Sequence, residues 1–211
     1  ISFTNPYALS FDGTDDYVEV SGSLNVTTFT LSAWTYNNTL DSFDRILDAQ
    51  PGHYYSMLTS GNKLTFQIDN AGHTNTSTTA LTANTWNHLV VRYNAGTVNI
   101  FINGVQDPTV VTGLSNPTQS TTSVQIGGIT GFNQYWDGKL DDVRIYNRAL
   151  SAGEIAALAA GNHTTAVWDG SSSTDWETAA NWDINAVPDP FTNIIIRSGP
   201  ANRPLMTLAE S

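Results

Sequence analysis

Short apolar runs that alternate with polar residues, separated by turn formers, fill the chain from Ala8 to about Tyr146, and this pattern limits the fold most. Leu64, Phe66 and Ile68 alternate with Thr65, Gln67 and Asp69; Val98, Ile100 and Ile102 alternate with Asn99 and Asn103. A period of two places each set of side chains on one face of a pleated strand. The second run ends in Asn103-Gly104, a two-residue hairpin signal because both residues tolerate positive φ. His88 to Tyr93 and Ser123 to Ile126 read as further strands, bounded by Gly, Asn, Asp and Pro. Many short strands without long helices between them predict an all-β sandwich or barrel. One helix is expected. Ser151-Ala152-Gly153-Glu154 has the form of a capping box, Ile155 and Leu158 supply an apolar stripe, and Gly161 is the stop.

Composition narrows the partners. The 211 residues are 40% hydrophobic, enough to fill a core, while only 13% are charged and the net charge is -11. That excess repels phosphate backbones and acidic lipid surfaces and welcomes a divalent cation. Cysteine is absent, which removes disulfides, thiolate zinc sites and cysteine nucleophiles and leans towards a bacterial source. The chain starts at Ile1 and stops at Ser211, read as a piece of a longer protein. After Asn162 the texture changes: Trp168, Trp176 and Trp182 fall in a Ser/Thr-rich stretch, followed by Pro188, Pro190 and the strand-like Asn193 to Ile196. We expect one domain over residues 1–162, then a Trp-rich β-type segment over 163–211 that begins another domain or forms a linker module.

Four segments, in order, resemble the LamG-like (concanavalin A-like) family. They are Leu9-Ser10-Phe11-Asp12-Gly13-Thr14-Asp15-Asp16-Tyr17-Val18; Phe29-Thr30-Leu31-Ser32-Ala33-Trp34; Trp86 to Val91 followed by Ile100-Phe101-Ile102-Asn103-Gly104; and Trp136-Asp137-Gly138-Lys139-Leu140-Asp141-Asp142-Val143-Arg144-Ile145-Tyr146 leading into Ser151 and Glu154. The resemblance implies a two-sheet antiparallel jelly-roll sandwich with one short C-terminal helix, then a small β-type tail. The tail, on Trp168-Asp169-Gly170, Trp176, Asn181-Trp182 and Pro188, is similar to segments of type IX-secreted surface proteins of Bacteroidetes. That similarity implies an extracellular or bacterial cell-surface location.

Asp12, Asp15 and Asp16 crowd one loop, and Asp141-Asp142 form a second acidic pair. Read as residues alone, these aspartates either bind a cation through hard oxygens or cap turns. The family resemblance implies the first reading, with the first and last strands approaching around a structural calcium ion. Asp12, Gly13, Asp15, Asp141 and Asp142 are its expected ligands. Val143 and Ile145 share a phase that Leu140 does not, so a bulge is expected near Asp141-Asp142.

No catalytic constellation stands out. The four histidines are scattered, no G-x-S-x-G or phosphate loop occurs, and no strand carries the E-x-D-x-E pattern of sandwich glucanases. The expected role is therefore a non-catalytic binding module, for adhesion or carbohydrate recognition, within a multidomain protein. A protein-interaction or spacer domain is the first alternative and a glycoside hydrolase the second. Stacking on a sugar needs exposed aromatics. Tyr54 and Tyr55 after Pro51-Gly52, and Phe132, Tyr135 and Trp136 around Asn133 and Gln134, are the candidates, each weighed against a place in the core. Asp44 and Arg45 are read as belonging to another loop.

Overall fold

The computed structural model describes residues 8–22, 26–40, 43–51, 55–68, 73–115, 121–161, 165–187, 193–196, 200 and 202–204. The chain divides into two compact units, Ile1–Ala160 and Gly161–Ser211. In the first unit two six-stranded antiparallel sheets form the jelly-roll sandwich that the family resemblance implies, one of the two all-β forms that the alternation allows. The first sheet runs β1-β12-β3-β8-β9-β10, built from β1 (Leu9–Asp12), β12 (Asp137–Tyr146), β3 (Thr28–Asn37), β8 (Trp86–Asn94), β9 (Thr97–Ile102) and β10 (Val105–Val111). The second runs β2-β11-β4-β5-β6-β7, from β2 (Val18–Ser21), β11 (Ser123–Ile126), β4 (Phe43–Gln50), β5 (Tyr55–Ser60), β6 (Lys63–Ile68) and β7 (His73–Thr76).

One phase of each long strand fills the shared core: Leu89, Val91 and Tyr93 on β8, Val98, Ile100 and Ile102 on β9, Leu64, Phe66 and Ile68 on β6. Phe29 of the first sheet joins the layers. Its ring stacks on Tyr93 at 5.1 Å and meets Tyr55 at 5.1 Å and Phe66 at 6.1 Å, both from the second sheet. Each such fully buried aromatic contributes about 2–3 kcal/mol of burial free energy.

The local signals fold as read. Asn103 and Gly104 turn β9 into β10 with φ of 53° and 80°. A side chain at Gly104 would also stand 2.9 Å from the Ala159 Cβ, so glycine lets helix α1 (Ala152–Ala159) settle on the outer face of the first sheet. The capping box closes in both directions: Ser151 Oγ accepts from the Glu154 N–H at 3.2 Å, and the Ser151 N–H donates to Glu154 Oε2 at 2.7 Å. Arg148 pairs with Glu154 at 2.7 Å; its hydrogen bond, with those of Ser151, holds the Glu154 carboxyl down at about 2. The expected bulge appears between Asp141 and Arg144, with Asp142 at φ 47°. His88 is a structural residue on the helix-side face: it shares a 2.9 Å hydrogen bond with Ser32 Oγ, and its ring lies 5.2 Å from that of Trp34.

In the second unit β13 (Thr165–Trp168) pairs in parallel with β14 (Asn193–Ile196). Trp168, Trp176 and Trp182 pack ring to ring at 4.6–6.1 Å. Buried Asn181 ties their loop by accepting from the Ser172 and Ser173 N–H groups and donating to Ser173 Oγ and the Asp175 carbonyl.

Asp107 braces the β10 edge. Its buried carboxylate accepts from the backbone N–H groups of Thr78, Thr79 and Thr109 at 2.8–2.9 Å. Burial alone would raise its pKa. Donation by Thr79, Thr78 and Thr109 outweighs burial and holds the carboxyl well below the usual carboxylate range. A depressed folded pKa means stability that is present above the unfolded value of about 3.9 and fades as pH falls through the folded one. We expect Asp107→Ala to cost about 3 kcal/mol at neutral pH by urea denaturation. It should also flatten the loss of stability that the parent chain shows below about pH 4.

Candidate functional site

The acidic loop follows β1. Asp12, Asp15 and Asp16 are exposed, with carboxylate oxygens all within 4.8 Å of one another. Thr14 N–H donates to Asp12 Oδ1 at 2.8 Å and Asp12 N–H to Asp16 Oδ2 at 3.2 Å, so the loop curls on its own side chains. No ion pair among the described residues neutralises these three charges. Register decides what faces the loop. β1 runs antiparallel to β12 with Leu9 opposite Leu140 and Asp12 opposite Asp137, so it is Asp137 that meets the acidic loop. A Cβ on Gly13 would lie 3.0 Å from that of Asp137, and the bare glycine permits this approach. Asp137 in turn accepts from Asn38 Nδ2 at 2.8 Å and Thr39 Oγ1 at 3.4 Å.

Asp141 and Asp142 are corrected by the same register. Asp141 pairs with Trp34 of β3, four residues along β12 from Asp137 and hence about 13 Å away at strand rise. Asp142 pairs with Arg144 at 3.2 Å within the bulge. The carboxylates that come together are those of Asp12, Asp15 and Asp16, with Gly13 between them and Asp137 facing them across the β1–β12 pair. Two oxygens on opposite sides of a calcium ion stand about 4.8 Å apart, so the carboxylate spacing suits that ion.

The aromatic candidates separate. Tyr55 and Trp136 are corrected: both are core residues, 1% and 0% exposed. Tyr55 shares the inward phase of β5 with Met57, and burial pushes its phenol pKa up. Phe132 is 60% exposed, Tyr135 is half-buried against Gly128, and Tyr54 lies outside the described residues.

The loop that carries Phe132 and Tyr135 also delivers Gln134 to the outer face of the second sheet. Register aligns Glu19, Gln125, Asp48, Ser56 and Gln67 in one row across β2, β11, β4, β5 and β6, all in the phase opposite the core. Five strands span about 19 Å. Arg45 joins this face through a bulge: Arg45 pairs with Leu58 and Leu47 with Met57, leaving Ile46 as the extra residue.

At the centre of the row Asp48 is sealed and Arg45 is 6% exposed. Arg45 Nη1 lies 3.2 Å from Asp48 Oδ2 and donates to Gln67 Oε1 at 3.0 Å; Nε donates to Gln134 Oε1 at 2.8 Å. Ser56 Oγ and Gln50 Nε2 also donate to Asp48. Gln125 donates to Glu19 Oε2 at 3.0 Å, and its carbonyl accepts the Thr130 N–H, pinning the start of the Gln134 loop. Burial lowers the Arg45 pKa, and Asp48 opposes that shift.

Glu19 and Asp48 stand two strands apart, about 9.6 Å, near the separation of inverting glycosidase carboxylates. Asp48, however, is shut from solvent, accepts from Gln50 and Ser56 and is paired with Arg45, while Glu19 accepts from Gln125. A general acid has to donate and to reach its substrate. This pair serves as acceptors.

Sequence reasoning placed Arg45 in a loop and gave Asp48, Ser56, Gln67 and Gln125 no role. The available signal is a polar residue in the phase opposite the core on each of β2, β11, β4, β5 and β6.

The family model described as concanavalin A-like lectin/glucanases superfamily matches residues 12–156. No curated protein sequence matches. Among solved structures the chain is similar to a SAP-like pentraxin from Limulus polyphemus, at 18% identity and TM-score 0.61, over 72% of this chain and 81% of that one. It is similar to domain 4 of AbnA, an extracellular GH43 arabinanase from Geobacillus stearothermophilus solved with arabinotriose, at 17% and 0.60, over 72% and 76%. The binding domain of botulinum neurotoxin DC, in complex with rat synaptotagmin II, matches at 19% and 0.55, over 72% and 42%. At these identities the likeness is one of fold.

Burial sets the relative worth of the Arg45–Asp48 and Arg144–Asp142 pairs. Asp48→Ala would leave a buried guanidinium unpaired and is expected to cost about 3–5 kcal/mol. Asp142→Ala, releasing the half-buried Arg144, should cost no more than about 1 kcal/mol. Guanidinium denaturation of both variants checks the ordering.

Proposed function

This chain belongs, over residues 12–156, to the concanavalin A-like lectin/glucanases superfamily, and from that premise we propose that it is a non-catalytic, glycan-binding module of a bacterial extracellular multidomain protein. The observation that carries the reading is the polar outer face of the second sheet: a buried Arg45–Asp48 pair ringed by Gln50, Ser56, Gln67 and Gln134. Amides, a guanidinium and a carboxylate held rigidly by one another are the groups that match sugar hydroxyls, and their mutual bonds preorganise them. Phe132, exposed in the loop that supplies Gln134, offers an apolar surface for a ring face. The arabinotriose in the AbnA domain supports this class of ligand by likeness of fold.

Asp12, Asp15, Asp16, Asp137 and the Gly13 carbonyl would hold a structural calcium ion. Bound there, the ion supplies charge neutralisation and a cross-link between the acidic loop and β12, with no part in chemistry on a ligand. The second unit, residues 163–211 in this reading, begins a further module, and the whole protein works at the cell surface or outside it.

A protein ligand is the second reading. The specific observation in its favour is the exposed Leu9, Tyr17, Val18 and Val20 on and beside the edge strands β1 and β2. The neurotoxin domain of the same fold was solved with a protein partner.

Two measurements test the proposal. On a glycan panel the chain should retain one class of sugar and release no reducing ends; catalytic release would overturn the non-catalytic reading, and no retention would favour the protein ligand. In calorimetry, calcium at about 100 times its dissociation constant should raise stability by about 2.7 kcal/mol. The gain should vanish in Asp12→Asn/Asp15→Asn and persist in Asp141→Asn.

A further inference from the structure

A guanidinium has five N–H donors in a fixed fork. Arg45 commits two of them, Nε to Gln134 and one of Nη1 to Gln67, while Nη1 also lies 3.2 Å from Asp48 Oδ2 as an ion pair. Both N–H groups of Nη2 have no partner among the described residues, and that nitrogen is not sealed from solvent. The residue is nonetheless 94% buried. A side chain locked from three sides with one free amino edge is an unfinished hydrogen-bonding group, and such groups in native structures are completed by water or a ligand.

The charge around that edge selects what completes it. The Arg45 charge is already matched by Asp48. Glu19 adds a second carboxylate in the same row. The other cation on this face among the described residues, Lys63, stands four residues along β6 from Gln67, about 13 Å away. The chain as a whole carries -11. A carboxylate or sulfate on the ligand would meet a site whose net charge is negative. Hydroxyls meet no such penalty, and two neighbouring hydroxyl oxygens can each take one Nη2 hydrogen while Gln50 and Gln67 complete the contacts.

We propose that Arg45 is the specificity-determining residue of the outer face of the second sheet, its free Nη2 edge reading adjacent hydroxyls of an uncharged glycan. This rests on the glycan-binding reading above and adds the class of sugar and the atom that reads it.

The test uses the full 211-residue chain with neutral polysaccharides (an arabinan, a glucan and a mannan) and acidic ones (polygalacturonate and heparin). Parent chain, Arg45→Lys and Gln134→Ala are compared by titration calorimetry, with melting temperatures recorded alongside. The parent is expected to bind a neutral glycan with an affinity that moves less than about twofold between about 0.05 and 0.5 M NaCl. Arg45→Lys keeps the charge but loses the fork, and folded protein should bind about tenfold or more weakly. Gln134→Ala keeps Arg45 but frees its Nε, should weaken binding severalfold, and serves in place of Arg45→Lys if that variant does not fold. A purely structural Arg45 would lower the melting temperature and leave the affinity of folded protein unmoved; that result overturns the proposal. Salt-sensitive binding confined to acidic glycans overturns it as well, while leaving the glycan-binding reading intact. Failure of the parent to bind any glycan removes both.

Discussion

Residues three apart on a pleated strand point to opposite faces, so Arg45 and Asp48 share one face only because β4 carries the extra residue Ile46. That insertion has two consequences. It keeps Leu47 and Ala49 in the core against Met57 and Tyr55, and it turns the guanidinium outward beside a carboxylate that could not be buried alone. Once Arg45 is outside, Gln67 and Gln134 accept from its Nη1 and Nε, and Gln134 draws its loop onto the sheet.

The sandwich makes this arrangement affordable. Phe29, Tyr55, Phe66 and Tyr93 bury their rings between the layers, so the outward phase of the second sheet is free to be polar over five strands. The first sheet uses its outer face differently. Trp34, Val90 and Phe101 are buried there, helix α1 lies against β8 and β10, and Thr30 Oγ1 anchors the connection by accepting from the Leu150 N–H and donating to the Arg148 carbonyl. One outer face therefore carries the helix, and the other carries chemistry.

Local features were legible in the sequence because their causes are local. The Asn103-Gly104 turn follows from two residues that accept positive φ, and the Ser151–Glu154 box from side chains that reach one turn of helix. The bulge at Asp141-Asp142 was visible as a break of phase between Leu140 and Val143. Register was not legible. It places Asp137, and not Asp141 or Asp142, opposite Asp12, because an antiparallel partner reverses which end of a strand is near. The second bulge does leave a mark, since Arg45 shares the odd phase of the core residues Leu47 and Ala49, but that break of phase is hidden when Arg45 reads as part of a loop. Tyr55 and Trp136 show the limit of ranking aromatics by neighbouring turns, since each is buried although a turn lies a few residues away in sequence.

The most direct test of a ligand face on the second sheet is a nuclear magnetic resonance titration of the labelled chain with the neutral oligosaccharide it retains. The account predicts shifts in the Arg45 guanidinium and in the side-chain amides of Gln50, Gln67 and Gln134. Shifts confined to the acidic loop at Asp12–Asp16, or to the helix α1 face around Arg92 and Glu154, would contradict it.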